Sequence, residues 1–387
     1  MKKRHLNHID NKNGNKNIFL VGGSSFFNDV GSEMITPILP FYVSALGGSG
    51  VAIGLISGMR EGLSSLLKLL GGWLSDKTGK RTPFIFMGYL ISIILRFFLS
   101  VVDSWQYVVA LVSFERIGKL RDAPRDALIA QSTKKRGRGF AFHQMMDTAG
   151  GIFGTLIVIW LFWKLQLSMK TIILVAAGIS VFSLIPLFFV KEPKFRKTKK
   201  SIFSGIKSLS KNIKYFVIVS SVFALANFGL YFFFLLRARE ITGSIVLPLV
   251  LYAIFNLIYA VFVIPFGNLS DKIGRKDILI MGYILFLAVT ISFIYLQTFV
   301  YLLLLFILYG LVYALTQSTQ KAFVADLAPE DIEGTALGFF SFVTGIVNIF
   351  GGVIAGLFWD ISYQSMFIYL SIVAFMALIL LMFIKEK

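Results

Sequence analysis

A chain of 387 residues, 56% hydrophobic and only 15% charged, is too apolar for a soluble domain, which carries about 25% charged residues. At about 20 apolar residues per bilayer crossing, twelve crossings take up roughly 240–300 residues and leave no room for a separate soluble domain. This excludes an ordinary globular enzyme and a disordered scaffold, and the lack of cysteine excludes disulfides, thiol catalysis and cysteine metal sites.

The chain opens on a polar tail, residues 1–16, which holds two of the three histidines, His5 and His8. The apolar run that follows is too long for a cleavable signal peptide and is broken by Asp29 and Glu33, so it reads as a first crossing. Apolar runs bounded by charges and Gly/Pro breaks predict helices over 17–46, 50–75, 82–102, 104–130, 138–163 and 168–190. A basic stretch, 191–212, follows. Six more helices are predicted over 213–237, 245–270, 277–297, 299–322, 334–358 and 362–384. The expected fold is an all-α integral membrane protein with twelve transmembrane helices. Its parts are a bundle over 17–190, a basic cytoplasmic linker over 191–212 and a second bundle over 213–387.

The net charge of +18 would suggest nucleic acid on a soluble protein. Here 26 of the 38 Lys and Arg residues fall on the tail and on loops that share one side of the predicted bilayer, against four on the other side. That asymmetry predicts cytoplasmic termini and a multi-pass plasma-membrane protein, with no nucleic-acid partner. The linker is expected to lie on the anionic inner leaflet.

A repeat organises the twelve helices. Gly72-Trp-Leu-Ser-Asp-Lys-Thr-Gly-Lys-Arg81 matches Gly267-Asn-Leu-Ser-Asp-Lys-Ile-Gly-Arg-Lys276, and Met87-Gly88-Tyr89 recurs as Met281-Gly282-Tyr283. Each copy follows the second helix of its half, so the halves form a parallel repeat. In each loop Gly79 or Gly274 permits a tight turn with positive φ. Asp76 and Asp271 can accept hydrogen bonds from the start of a neighbouring helix, where the dipole favours negative charge.

These paired loops resemble the signature of the major facilitator superfamily, roughly Gly-x-Leu-x-Asp-Arg-x-Gly-Arg-Arg between helices 2 and 3 and again between helices 8 and 9. The resemblance covers the whole chain. Helices 1 and 4 (Phe26 to Glu33; Arg116 to Asp126) are similar to those of an uncharacterised prokaryotic subgroup. It implies two six-helix halves around a central cavity lined by helices 1, 4, 7 and 10. It also implies that Asp76 faces helix 11 and Asp271 faces helix 5. Lys80 and Arg275, with Arg81 beside them, would meet an acid at the inner end of helix 4 or 10, the candidates being Asp122, Asp126 and Asp326. Such contacts would latch the halves shut on the inside. Two departures stand out: Gly150-Gly-Ile-Phe-Gly154-Thr155 lacks the proline of the antiporter-associated helix 5 pattern, and Leu120 stands where the helix 4 pattern has glycine.

Ionisable groups at membrane depth are costly and tend to be functional. The first half carries Asp29, Glu33, Arg60, Glu61, Lys68, Arg96, Glu115, Arg116, Lys119 and Asp147; in the second half Lys321 lies near a helix end. Asp29 and Glu33 share a helix face, and either is a candidate for the coupling proton. Glu115, Arg116 and Lys119 are the expected charge partners, with Arg116 also a candidate anchor for an anionic solute. For Arg60, Glu61, Lys68 and Arg96 a packing role and a transport role stay equally open. His143 and Asp147, four apart, are either a proton relay or a hydrogen-bonded structural pair. Asn227, Asn256, Gln317, Gln320 and Asn348 are neutral candidates for reading a solute.

The expected function is secondary active transport of a small organic solute by alternating access, proton-coupled, as a monomer in the lipid bilayer. No cofactor, metal or enzymatic activity is expected, and no nucleotide-binding motif is present. The alternatives are a drug or metabolite efflux antiporter and, in another class, a membrane-embedded enzyme or non-transporting sensor on the same fold.

Overall fold

A computed structural model describes residues 11–133, 136–192, 209–295, 298–328 and 333–384. Residues 1–10 of the predicted tail and 193–208 of the predicted linker lie outside the described residues. The described chain is all-α, with no strand. In order, the helices are α1 (Asn11–Ile35), α2 (Leu39–Ala45), α3 (Gly50–Thr78), α4 (Thr82–Leu99), α5 (Trp105–Glu115), α6 (Asp122–Ser132), α7 (Arg136–Trp163) and α8 (Met169–Val181). There follow α9 (Lys211–Ala226), α10 (Tyr231–Thr242), α11 (Val246–Ile273), α12 (Arg275–Tyr295), α13 (Phe299–Leu327), α14 (Glu333–Ile361) and α15 (Tyr363–Met382).

Nine helical segments among the described residues are long and apolar enough to cross a membrane: α4, α7, α8 with the turns after it, α9 with α10, and each of α11 to α15. They coincide with nine of the predicted crossings. The other three predicted crossings are helical too, but α1–α2, α3 and α5–α6 are interrupted by polar and charged residues.

Three helices expected to be continuous are broken, each for a local reason. Thr36–Ile38 is a 3-10 turn at Pro37, whose ring removes one backbone donor. Arg116–Arg121 is a six-residue 3-10 segment ahead of Pro124, which cannot donate back to the Leu120 carbonyl. Between α9 and α10 the chain unwinds at Asn227–Leu230, where Gly229 takes φ +95° and ends the helical path. Other ends are capped by side chains: Ser168, Ser210 and Ser362 accept from the amides of Thr171, Ile213 and Ser365.

The described residues form two compact units. The first draws on residues within 1–38, 66–103 and 110–200, the second on those within 39–65, 104–109 and 201–387. In the first unit α1 packs along α7 and α8. Its buried apolar core joins Val21, Ile85, Tyr89, Leu128, Ile129 and Leu187. In the second unit α13 packs on α11 and α12, and α15 on α9 and α12. Its core is aromatic: Phe234 stacks on Phe293 at 4.1 Å and Phe293 on Phe367 at 5.0 Å. Such offset rings give specific packing where lipid supplies no hydrophobic drive between helices.

Candidate transport site

The first unit buries a connected set of charges. Arg96 of α4, 3% exposed, is its hub. It donates to the Asn28 carbonyl (3.2 Å) on α1, to Ser180 Oγ (2.7 Å) on α8 and to Glu115 Oε1 (3.0 Å) on α5. The other Glu115 oxygen is taken by Arg116. One guanidinium fork thus ties four helices together, as its planar geometry suits.

Just beyond, the 3-10 segment turns Arg121 into the core. It donates to the Gly118 carbonyl (2.8 Å) and Ser92 Oγ (3.2 Å), and lies 4.4 Å over the Tyr89 ring. Asp122 sits among Lys119 (3.7 Å), Arg125 (3.8 Å) and Arg121 (3.9 Å). Asp126 pairs with Lys68 (3.0 Å) and Arg125 (3.5 Å).

A hydrogen-bonded chain runs alongside. His143 Nδ1 lies 3.2 Å from Asp147 Oδ2, and its Nε2 lies 3.0 Å from Ser25 Oγ. Ser25 Oγ also meets Tyr89 Oη (2.9 Å) and receives Arg125 Nη1 (3.2 Å). A neutral His143 carrying its proton on Nδ1 takes a hydrogen bond from Ser25, and Ser25 takes one from Tyr89. A proton added at Nε2 reverses the sense of that chain.

Asp29 and Glu33 face α7, against Gly150 and Gly151. Asn28 donates to Asp29 Oδ1 at 2.9 Å, and Asp147, Lys119, Arg125 and Arg121 are its charged neighbours. The structure therefore brings Asp29 together with Lys119 and Asp147. It gives Glu115 to Arg96 and Arg116. Ser25, Tyr89, Arg96, Arg121 and Arg125 complete the network; the sequence left the role of Arg96 open between packing and transport and assigned none to the other four. The run Arg116-Ile-Gly-Lys-Leu-Arg-Asp-Ala-Pro-Arg-Asp126 was the available signal for two of them.

The two signature loops share a geometry. Gly79 has φ +74° and Gly274 φ +105°. Ser75 and Ser270 donate to the carbonyls of Gly72 and Gly267. In the second loop Arg275 pairs with Asp271 and reaches Asp326 at 2.9 Å. In the first, Arg81 rather than Lys80 is drawn in, 3.6 Å from Asp76. Asp122 and Asp126, the acids proposed for Lys80, are held by Lys68, Lys119, Arg121 and Arg125. Burial pulls the Arg81 guanidinium below its ordinary range, while Asp76 and Glu192 act in the opposite sense.

Glu192 Oε1 accepts from the amides of Arg81 and Thr82 (3.1 Å for the latter), capping the start of α4. Glu192→Ala is expected to cost about 0.5–2 kcal/mol, and Glu192→Gln, which keeps one acceptor, less. Thermal unfolding of the purified variants checks the order; equal midpoints for both would refute the cap.

In the second unit Asn227 Oδ1 accepts from Tyr309 Oη (2.8 Å), Gln320 Nε2 meets Tyr283 Oη (3.0 Å), and Asn256 donates to the Tyr252 carbonyl on its own helix (3.2 Å). Asn348 Oδ1 is buried with no hydrogen-bond partner among the described residues. Gln317 is part-exposed. No group of three residues suited to hold a metal is present among the described residues.

Helices long and apolar enough to cross a membrane, with a buried ionic network in the first unit, define a multi-pass membrane protein. The family model of the Major Facilitator Superfamily matches residues 21–252 and 241–387, and the chain belongs to this superfamily, one of transporters rather than enzymes. An uncharacterised MFS-type transporter of Methanocaldococcus jannaschii is 44% identical over 387 residues, covering 98% of this chain and 97% of that protein. The multidrug resistance protein MdtH of Proteus mirabilis is 25% identical over 347 residues, covering 87% and 85%. The crystal structure of the nucleoside transporter NupG superposes with a TM-score of 0.80 at 15% identity, covering 96% of this chain and 99% of that one, a likeness of fold.

Proposed function

We propose that this protein is a proton-coupled secondary transporter of a small organic solute, working by alternating access as a monomer in the plasma membrane. Two six-helix bundles, 17–190 and 213–387, rock about a cavity while the linker 191–212 joins them on the cytoplasmic side, where both termini lie. The signature loops latch that side. The observation that carries the reading is the placement of Asp29 beside Asp147 with Lys119, Arg121 and Arg125 around it. Two carboxylates close together hold one proton more readily than each alone, and cations oppose this. A change of access that alters hydration tips the balance and loads or releases the proton. Glu33 lies one turn further along the same face of α1.

Proteoliposomes carrying the purified protein, given a pH gradient and a broad panel of solutes, test it. Wild type accumulates at least one solute. Asp29→Asn abolishes gradient-driven accumulation yet leaves solute exchange at equal pH. If Asp29→Asn and Glu33→Gln both accumulate solute normally, the proton assignment is wrong. If no solute moves at all, the transporter reading gives way to a non-transporting sensor.

The MdtH relatives favour a second reading, an efflux antiporter for drugs or metabolites. Thr155, standing where the antiporter pattern has proline, weighs against it. The direction of the pH gradient that drives flux separates the two.

A further inference from the structure

Glu61 takes no part in the ionic network of the first unit. It belongs to the second unit, on α3. Its side chain lies against Gly229, where the chain unwinds between α9 and α10. Ser57, one turn earlier on the same face, donates to the Gly229 carbonyl at 2.6 Å. The Glu61 carboxylate lies within electrostatic reach of the hydroxyl groups of Tyr259, Tyr309 and Tyr313. Two of those hydroxyls are engaged elsewhere: Tyr313 hydrogen-bonds to Tyr309, which donates to Asn227 at 2.8 Å. Among the described residues, no hydrogen bond or ion pair reaches the Glu61 carboxylate. Arg60, its neighbour in sequence, leaves the helix about 100° away.

The rings around Glu61 form a connected aromatic wall. Tyr313 meets Tyr309 at 5.1 Å, Phe255 at 5.1 Å and Tyr259 at 6.0 Å. Tyr231 and Tyr252 extend it behind Phe255. Phe255, Tyr252, Tyr231 and Tyr309 are buried, whereas Glu61, Tyr259 and Tyr313 are part-exposed. So the accessible edge of the wall carries the carboxylate. An unpaired carboxylate at membrane depth is costly unless something neutralises it. Aromatic faces attract cations and repel anions.

We infer that Glu61, with Tyr259 and Tyr313, binds the cationic group of a lipophilic organic cation, whose apolar body lies on the aromatic wall. This names a substrate class and rests on the transporter reading for its purpose. The residues that hold the coupling proton in that reading belong to the other unit.

The probe is tetraphenylphosphonium, with tetraphenylborate as an anion of the same shape. Binding is measured on the full-length protein in nanodiscs, with empty nanodiscs subtracted. The phosphonium binds saturably and the borate does not. Glu61→Gln weakens binding on the order of tenfold or more, the loss expected for one charge contact at low dielectric. Tyr313→Phe binds as wild type, because the ring face is kept, whereas Tyr313→Ala and Tyr259→Ala each weaken binding about two- to fivefold. Should Glu61→Gln not fold, the two alanine variants and the borate control carry the test. Equal binding of both ions overturns the inference. So does a Glu61→Gln variant whose melting point falls while its binding is unchanged, which would make Glu61 a support for the start of α10. Glu61-dependent binding without solute flux would sink the transporter reading and leave this site standing; flux with Glu61-independent binding would do the reverse.

Discussion

Arg96→Leu is expected to destabilise the protein by about 3–5 kcal/mol, the cost of removing one partner from a buried ion pair. Glu115 loses the Arg96 half of its ion pairing and keeps Arg116. The Asn28 carbonyl and Ser180 hydroxyl also lose their donor. Ser180 still donates to the Ala176 carbonyl, so the hydroxyl is the lesser loss. Arg96→Lys keeps the charge but supplies a single point in place of the fork, and should fall between wild type and Leu. Combining Arg96→Leu with Glu115→Gln measures the coupling between the two residues, which a double-mutant cycle reads directly; the summed single losses should exceed that of the pair if they act together. Thermal or denaturant unfolding in detergent measures it. A midpoint for Arg96→Leu unchanged from wild type would mean that the four helices do not depend on this hub.

Helix positions were legible because apolar runs stand out against charged loops. The breaks were not. Around Asn227–Leu230 only Asn227 and Gly229 interrupt a long apolar run, too little in hydropathy to mark the turn at Gly229. At Arg116–Arg121 the run of charges was visible, but the tightening to a 3-10 path depends on Pro124 and on what the freed side chains reach.

The site was legible by kind and not by pairing. Asp29, Glu33, Glu115 and Arg116 stand out as charges inside apolar runs. Helix spacing shows which of them share a face, but which helix supplies the partner is set by packing. Hence Glu115 goes to Arg96 on α4, a residue whose role was left open. Ser25 and Tyr89 are ordinary residues in sequence, and only their meeting at His143 gives them meaning. Lys80 and Arg81 differ by one position and so leave the turn in different directions.

The predicted crossings that are not apolar by composition, α1–α2, α3 and α5–α6, are the ones that carry Asp29, Glu33, Glu61, Glu115 and Arg116. A segment that places several charges at membrane depth gives up part of its own transfer free energy, and it stays in place because neighbouring helices satisfy those charges. The weak apolar signal of these segments and their chemistry therefore have a single cause.

Gly54→Leu is expected to cost about 3 kcal/mol or more, at the upper end for overpacking. Within the second unit, α3 meets α14 through glycines: a Cβ on Gly54 would fall on the Gly352 carbonyl oxygen, and one on Gly352 on that of Gly54. Gly50, Gly58 and Gly62 continue the contact against Gly356, Asn348 and Gly345. Small residues at every fourth position let backbones approach closely, the basis of helix association where lipid is as apolar as the side chains. The obstacle at Gly54 is backbone, so no rotamer change relieves it and the helices must part. Parting also strips the start of α3 of its cap, since Asp360 Oδ1 accepts from Gly50 N at 2.6 Å and Oδ2 from Val51 N at 3.2 Å. Gly178 on α8 is the contrasting case: a Cβ there meets nothing within 4 Å. Gly178→Ala should stabilise the protein by about 0.5–1 kcal/mol, the ordinary helical preference of alanine over glycine. Melting points of the two variants in one detergent should move in opposite directions. A Gly54→Leu protein that melts with wild type would show that the close approach of α3 and α14 contributes nothing to stability.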